Sequence, residues 1–225
     1  PVEVSLPTGR TATAVATGSY HTCAILDDGS VWCWGANWDG FLGVGNMTSG
    51  SWSYTPHQTQ LPSGRTAIAI AAGFRHTCAV LDDNSMVCWG EDSDYQLGNG
   101  SQNEDQSLPS YVVTSQNFNS VVAGEKHTCG VTTDFKMYCW GNNNYQQIGS
   151  TLASGEAYYP TLVSLPIDRD VMGATSGSLF TCAILDDGSV SCWGNNANGQ
   201  LGDGTREAHD TPDSVLLPQG KSAVA

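Results

Sequence analysis

The chain has 225 residues, of which 26 are Gly, 9 are Pro and only 13% are charged, a turn-rich composition short of charged helix formers. Its net charge of −14 sets up a field that repels nucleic acid and anionic headgroups, which argues against a nucleic-acid partner. No apolar run reaches the roughly 18 residues of a spanning helix, so membrane insertion is not expected; residues 1–10 lack the basic and apolar regions of a signal peptide, so any export signal would lie upstream or have been removed.

The first element is the Ala/Val-rich run TATAVATG ending at Gly18, whose small side chains suit a crowded inner strand. From His21 follows HTCAILDDGSVWCWG, two β-rich runs flanking Asp-Asp-Gly-Ser, which reads as a β-hairpin. With Asp27 and Asp28 at the centre of a type I turn and Gly29 in the left-handed bulge position, Leu26 faces Ser30 and Cys23 falls directly opposite Cys33. Opposed Cβ atoms lie about 4.5–5.5 Å apart, close to what a disulfide needs. Ala24, Leu26, Trp32 and Trp34 share one face, and Cys23, Ile25, Val31 and Cys33 the other. A small sheet apolar on both faces must be sandwiched between neighbours. A Gly/Asn-rich segment and a Pro-containing stretch then read as a long outer loop.

The same order returns three times: TAIAIAAG ending at Gly73 with HTCAVLDDNSMVCWG from His76, FNSVVAG ending at Gly124 with HTCGVTTDFKMYCWG from His127, and FTCAILDDGSVSCWG from Phe180. The first cysteines, Cys23, Cys78, Cys129 and Cys182, are 55, 51 and 53 residues apart, the period of a propeller blade. The ten-residue offset repeats as Cys78/Cys88, Cys129/Cys139 and Cys182/Cys192, so the pairing uses all 8 cysteines. Each such loop contributes about 3 kcal/mol in the chain-entropy model, and four of them imply an oxidising compartment, extracellular or at the cell surface. Zinc is disfavoured because no Cys-x2-4-Cys knuckle occurs. In the third hairpin Phe135 falls where a left-handed residue is wanted, so a different or strained turn is expected there. The terminal LPQGKSAVA matches the opening LPTGRTATAVA, the beginning of a fifth inner strand. The expected organisation is one array: repeats 5–59, 60–107, 108–163 and 164–216, with 217–225 opening a fifth.

The pattern Gly-x-x-His-Thr-Cys-Ala-Ile-Leu-Asp-Asp-Gly-Ser-Val-x-Cys-Trp-Gly-x-Asn, followed by Gly-Gln-Leu-Gly-Asp-Gly-Thr, closely resembles the repeat of the regulator of chromosome condensation family across essentially the whole chain. The resemblance implies an all-β fold of four-stranded β-propeller blades, commonly seven, so four repeats form either a four-bladed ring or an open part of a larger propeller. The paired cysteines resemble the secreted, bacterial or archaeal-type version of the repeat. The nuclear exchange factor that names the family works in a reducing compartment, and its exchange activity is not carried over.

His21, His76 and His127 precede Thr-Cys, but Phe180 breaks the ring and satisfied buried histidines are expected. The pairs Asp27-Asp28, Asp82-Asp83 and Asp186-Asp187 sit in turns where Asp serves the local backbone. Asp92, Asp94, Asn142, Asn144, Asn195 and Asn198 offer oxygens of the kind calcium takes, without calcium-hand spacing; no cofactor is expected, and calcium is the weak alternative. No nucleophile elbow, phosphate loop or His-Glu-x-x-His occurs, so no enzyme activity is expected. Trp34, Trp89, Trp140 and Trp193 read as inter-blade packing. Trp32, Trp38, Trp52, Tyr54 and Phe41 enrich the first repeat in aromatics and are candidate binding residues for a protein or carbohydrate. Asn46 and Asn99 open glycosylation acceptor motifs. The expected function is a secreted or surface recognition module; the alternative is a structural segment that self-associates through open blade ends.

Overall fold

The computed structural model describes residues 2–45, 51–101, 104–151, 155–167 and 169–224. Each repeat folds as one antiparallel sheet of four strands in chain order. The first holds β1 (Ala12–Thr17), β2 (His21–Leu26), β3 (Val31–Ala36) and β4 (Trp52–Gln58), and the second β5 (Ala67–Ala72), β6 (His76–Leu81), β7 (Met86–Gly90) and β8 (Gln106–Tyr111). The third holds β9 (Phe118–Ala123), β10 (His127–Thr132), β11 (Met137–Asn142) and β12 (Glu156–Leu162), and the fourth β13 (Val171–Ser176), β14 (Phe180–Leu185), β15 (Val190–Gly194) and β16 (His209–Ser214). Among the described residues no helix is long and apolar enough to cross a membrane.

The hairpin register is the one the turn chemistry dictates. Cys23 pairs with Cys33, Cys78 with Cys88, Cys129 with Cys139 and Cys182 with Cys192 as direct cross-strand partners. All four pairs are disulfide-bonded with Cα atoms 4.1 Å apart, and no cysteine is free. Gly29, Asn84 and Gly188 take the left-handed turn position at φ 75°, 65° and 78°. Phe135 takes it too, at φ 63°, and closes the same two bonds, Phe135 N–H to Thr132 O and Thr132 N–H to Lys136 O, as Gly29 and Leu26 do. The third turn therefore keeps the common geometry and carries the strain in one residue. The neighbouring strand pins it: the Phe135 carbonyl accepts Val171 N–H, as Gly29 accepts Ala67, Asn84 accepts Phe118 and Gly188 accepts Ala223. Residues 221–224 thus begin to lie on the fourth hairpin as an inner strand does in the other repeats.

The expected long outer loop is corrected by the fold, because its second half pairs as the strands β4, β8, β12 and β16. Pro56, Pro109, Pro160 and Pro212 lie in them. Proline is tolerated there because each is an edge strand with one side unpaired, and it also blunts that edge against further pairing. The expected boundary between residues 107 and 108 cuts through β8; the second sheet ends at Tyr111 and the third begins at Phe118.

Consecutive sheets stack face to face, cysteine face on tryptophan face. Cys23, Ile25, Val31 and Cys33 of the first sheet form one buried cluster with Ala79, Leu81, Val87 and Trp89 of the second. Cys78, Val80, Met86 and Cys88 continue into Trp140, and Cys129, Val131 and Met137 into Ala183, Leu185 and Trp193. β1, β5, β9 and β13 are innermost, and their ends at Gly18, Gly73, Gly124 and Gly177 line a shared central cavity of about 320 Å³.

Candidate functional site

Each of these inter-blade junctions is built from four equivalent positions, a Trp, a Thr, a His and a carbonyl of the preceding blade. Trp89 Nε1 donates to the Phe41 carbonyl at 2.7 Å, Trp140 to Gln96 at 3.0 Å and Trp193 to Gln147 at 2.9 Å, each reaching into the preceding blade. The same carbonyls accept the hydroxyls of Thr77, Thr128 and Thr181. Because these hydroxyls are spent as donors, each must accept from the histidine of the preceding blade: His21 Nε2 at 2.7 Å, His76 and His127 Nε2 at 2.9 Å. This makes His21 and His76 neutral Nε2–H tautomers; His127 Nε2 meets Ser176 Oγ at 2.8 Å as well, and the Nδ1 atoms of all three are buried without a partner, so the expected satisfied histidines are satisfied on one side only. Burial lowers their pKa values to about 4, 3 and 4 in chain order. Trp34, at the equivalent place in the first sheet, is only half-buried and has no carbonyl partner among the described residues.

The loops after β3, β7, β11 and β15 are held by one side chain each. Asn37, Asp92, Asn143 and Asn196 accept the backbone N–H of Leu42, Leu97, Ile148 and Leu201, five residues on. Three more of the six calcium candidates, Asn142, Asn195 and Asp94, have side-chain oxygens occupied by hydrogen bonds. Asn142 Oδ1 accepts from Asn144 N and Gln147 Nε2, Asn195 Oδ1 from Ala197 N and Gln200 Nε2, and Asp94 from Lys126 and Asn142. Among the described residues Asp203, His209 and Asp213 bring three ligand atoms within 4.8 Å. Asp203, however, already accepts from Thr205, Asn196 and His209, which hold its carboxyl below the usual range.

One end of the first two blades differs from the rest. Trp38 and Trp52 meet edge to face at 4.9 Å, Tyr20 lies 5.2 Å from Trp38, and Phe74 lies 5.4 Å from Tyr20. The Arg75 guanidinium sits over Trp38 at 5.8 Å and over Phe74 at 5.4 Å, and its Nη1 is 3.7 Å from Asp39 Oδ2. Trp52 is 54% exposed and Tyr20 42%, so the cluster is a surface. Tyr20, Phe74 and Arg75 were missed as site residues. They occupy the two variable positions of Gly-x-x-His, and that variability inside a constant motif was the available signal.

The other aromatic candidates go elsewhere. Phe41 is fully buried beneath the patch, its ring 5.3 Å from His21 and 6.3 Å from Trp38, so it is corrected from binding residue to core. Trp32 lies at the opposite end of its sheet, its Nε1 bonded to Ser30 Oγ, and Tyr54 is 92% exposed on β4. Asn99 Oδ1 accepts Ser101 N and Oγ, whereas Asn46 lies outside the described residues. A second aromatic surface joins Tyr95 to Tyr158 at 4.2 Å around a cavity of about 360 Å³ also lined by Tyr159 and Ser101.

Four stacked four-stranded sheets, converging on inner strands and locked by repeating Trp, Thr and His contacts, define an array of β-propeller blades. The repeat pattern described as "Regulator of chromosome condensation (RCC1) repeat" matches residues 12–40, 67–96, 118–147 and 174–200 in one form and 28–80, 83–131 and 136–184 in a second. The chain belongs to that repeat family. It is 31% identical over 203 residues to "Ultraviolet-B receptor UVR8" of Arabidopsis thaliana, covering 89% of this chain and 45% of that protein. It is 29% identical over 216 residues to the human "E3 ubiquitin-protein ligase HERC2", covering 94% of this chain and 4% of that protein. Among solved structures, human WBSCR16 superimposes with a TM-score of 0.83 at 23% identity, over 93% of this chain and 54% of that one. Yeast RCC1 (Prp20), solved with Kap60 bound, superimposes with a TM-score of 0.83 at 20% identity, over 96% and 51%. The chain thus spans about half, or far less, of each of these proteins.

Proposed function

We propose that this chain is an extracellular protein-recognition module, without catalytic activity, that binds its partner through the exposed patch of Tyr20, Trp38, Trp52, Phe74 and Arg75. The patch carries the reading: exposed aromatics with an arginine are what interface anchors are made of, and here they stand on loops fixed by a rigid stapled scaffold. The four disulfides support an oxidising location. A structural neighbour of the same fold, yeast RCC1, is bound to a protein, Kap60. The test is capture from the secreted fraction of the source organism by the wild-type chain and by the Trp38→Ala/Trp52→Ala variant. A protein retained by the first and lost with the second, at equal melting temperature, is expected; identical captures would overturn the reading, and selective retention of glycans would replace protein with carbohydrate.

A second reading, a structural segment joined through its blade ends, is favoured by one observation. Val15, on the tryptophan face of the first sheet, is 66% exposed, whereas Val121, its counterpart inside the array, is 7% exposed. Cys182, Ile184 and Val190 on the cysteine face of the fourth sheet are likewise only partly buried. Sedimentation velocity separates the two readings: association that rises with concentration and is abolished by Val15→Lys supports joining, and a monomer at every concentration excludes it.

A further inference from the structure

We infer that Asn99 carries an N-linked glycan whose first sugars lie in the cleft of Tyr95, Tyr158 and Tyr159; this rests on the extracellular reading and adds a modification site to it. Asn99-Gly100-Ser101 is an acceptor triplet, and the fold brings its amide and hydroxyl together. Asn99 Oδ1 accepts Ser101 N–H at 2.9 Å, and Ser101 Oγ lies 2.6 Å from the same oxygen and 2.8 Å from Asp92 Oδ2. A backbone N–H can only donate, so its bond fixes which amide atom is the oxygen. The amide nitrogen, Nδ2, is left with no hydrogen bond among the described residues.

The turn belongs to the repeat, and the amide nitrogen does not. Counted from Gly43, Gly98, Gly149 and Gly202, the same place holds Val44, Asn99, Ser150 and Asp203. In the fourth blade Asp203 Oδ1 closes the turn by accepting Thr205 N–H at 2.7 Å, so a carboxylate serves that purpose as well. Asn99 keeps the turn and adds a nitrogen that can be glycosylated.

The same loop lines a cavity. Gly100 and Ser101 share it with the three tyrosines, and its volume of about 360 Å³ lies in the roughly 300–1,000 Å³ range of small-molecule sites. Tyr95 and Tyr158 meet edge to face, and a Cβ on Gly100 would stand 3.2 Å from Tyr159 Cε1, so the rings begin one residue from Asn99. Tyr158 and Tyr159 are half-exposed, and none of the three phenol hydroxyls has a hydrogen-bond partner among the described residues. The left-handed backbone at this loop position is shared by Gly40, Tyr95, Gln146 and Gly199; of the four blades, the second alone puts a ring there. Ring faces edged with free hydroxyls suit a pyranose, whose C–H faces are apolar and whose rim carries hydroxyls. Attachment forms a bond from Asn99 Nδ2 to the anomeric carbon of a lipid-linked saccharide diphosphate. The amide loses a proton, and the lipid diphosphate leaves with the electron pair of the broken C–O bond.

The test recovers the full chain, wild type and Asn99→Asp, from the secreted fraction of the source organism. Mass spectrometry of the peptide holding Asn99 should show an added saccharide in the wild type and none in the variant, which keeps the turn as Asp203 does. Asn99→Asp should melt about 2–4 °C below wild type, and the gap should close when Tyr158→Ala and Tyr159→Ala are present in both chains. An unmodified Asn99 in a chain with all four disulfides formed would overturn the inference and leave the extracellular reading standing, as would a saccharide on Asn46 alone. An unmodified Asn99 in a chain whose cysteines are all reduced would overturn both. A glycan at Asn99 with a melting gap that is absent, or that persists without the tyrosines, would overturn its packing in the cleft.

Discussion

At the scale of single residues, Asp92 shows how an identity can be anomalous while its role is not. Asn37, Asn143 and Asn196 hold their loops through one accepted amide bond, and Asp92 does the same to Leu97 at 3.0 Å. Asp92 is 1% exposed, and burial, with Asp105 nearby, pushes its pKa up to about 6. A carboxyl that binds its proton more tightly folded than unfolded destabilises the fold once ionised. The cost is absent below about pH 4 and complete above about pH 6. Asp92→Asn should therefore raise the unfolding free energy by about 1–3 kcal/mol at pH 7 and by much less at pH 4, read from urea titrations at both values. A loss of stability at pH 7 would contradict this account. The sequence alone makes Asp92 a loop residue serving local Asx-turn chemistry, and its bond to Leu97, five residues on, has meaning only once the loop is closed.

At the scale of elements, the hairpin was legible to the register, and the edge strand was not. Cysteine offset, turn residues and face alternation are local and agree with one another. β4, β8, β12 and β16 carry polar residues and proline, so nothing in their own pattern distinguishes them from loop; β3, β7, β11 and β15 supply the reason they are strands. Phe135 is the reverse case, a local rule overridden because Val171 bonds its carbonyl. The inner strands end at glycine for a packing reason. A Cβ on Gly73 would lie 2.3 Å from His76 Cε1 and 2.5 Å from the Gly124 carbonyl oxygen, while one on Gly64 would meet nothing within 4 Å. Gly73→Ala should cost about 1–3 kcal/mol or more through overpacking of buried backbone, seen as a lowered urea midpoint. Gly64→Ala, at φ 76°, should cost only the left-handed penalty of about 1–2 kcal/mol. Equal midpoints for wild type and Gly73→Ala would show that the junction yields.

At the scale of the whole molecule, three neutral histidines buried at successive junctions make the array acid-sensitive. Their folded pKa values, about 3 to 4, lie below the unfolded value of about 6.5. Their contribution is complete above that value and is lost as pH falls towards 4. Each adds at most about 1.4 kcal/mol per pH unit; Asp92, Asp39 and Glu91, whose carboxyls burial raises, oppose them as pH falls from about 6 towards 4, Asp92 most strongly, so the net fall is smaller than three histidines alone would give. The urea midpoint should drop between pH 6.5 and 4.5, and a flat profile would exclude the buried neutral tautomers. Sequence alone determined the repeat, the disulfide pairing, the two apolar faces of each hairpin and the family, because these rest on contacts within about 15 residues of chain and on a period that copies itself four times. Tertiary structure alone decided that Phe41 is core and that Trp38 and Trp52 form a surface with Tyr20, Phe74 and Arg75. Those facts depend on which loop of one blade meets which loop of the next, and residues as far apart in sequence as Trp38 and Arg75, or Tyr20 and Phe74, carry no mark of that meeting until the sheets are stacked.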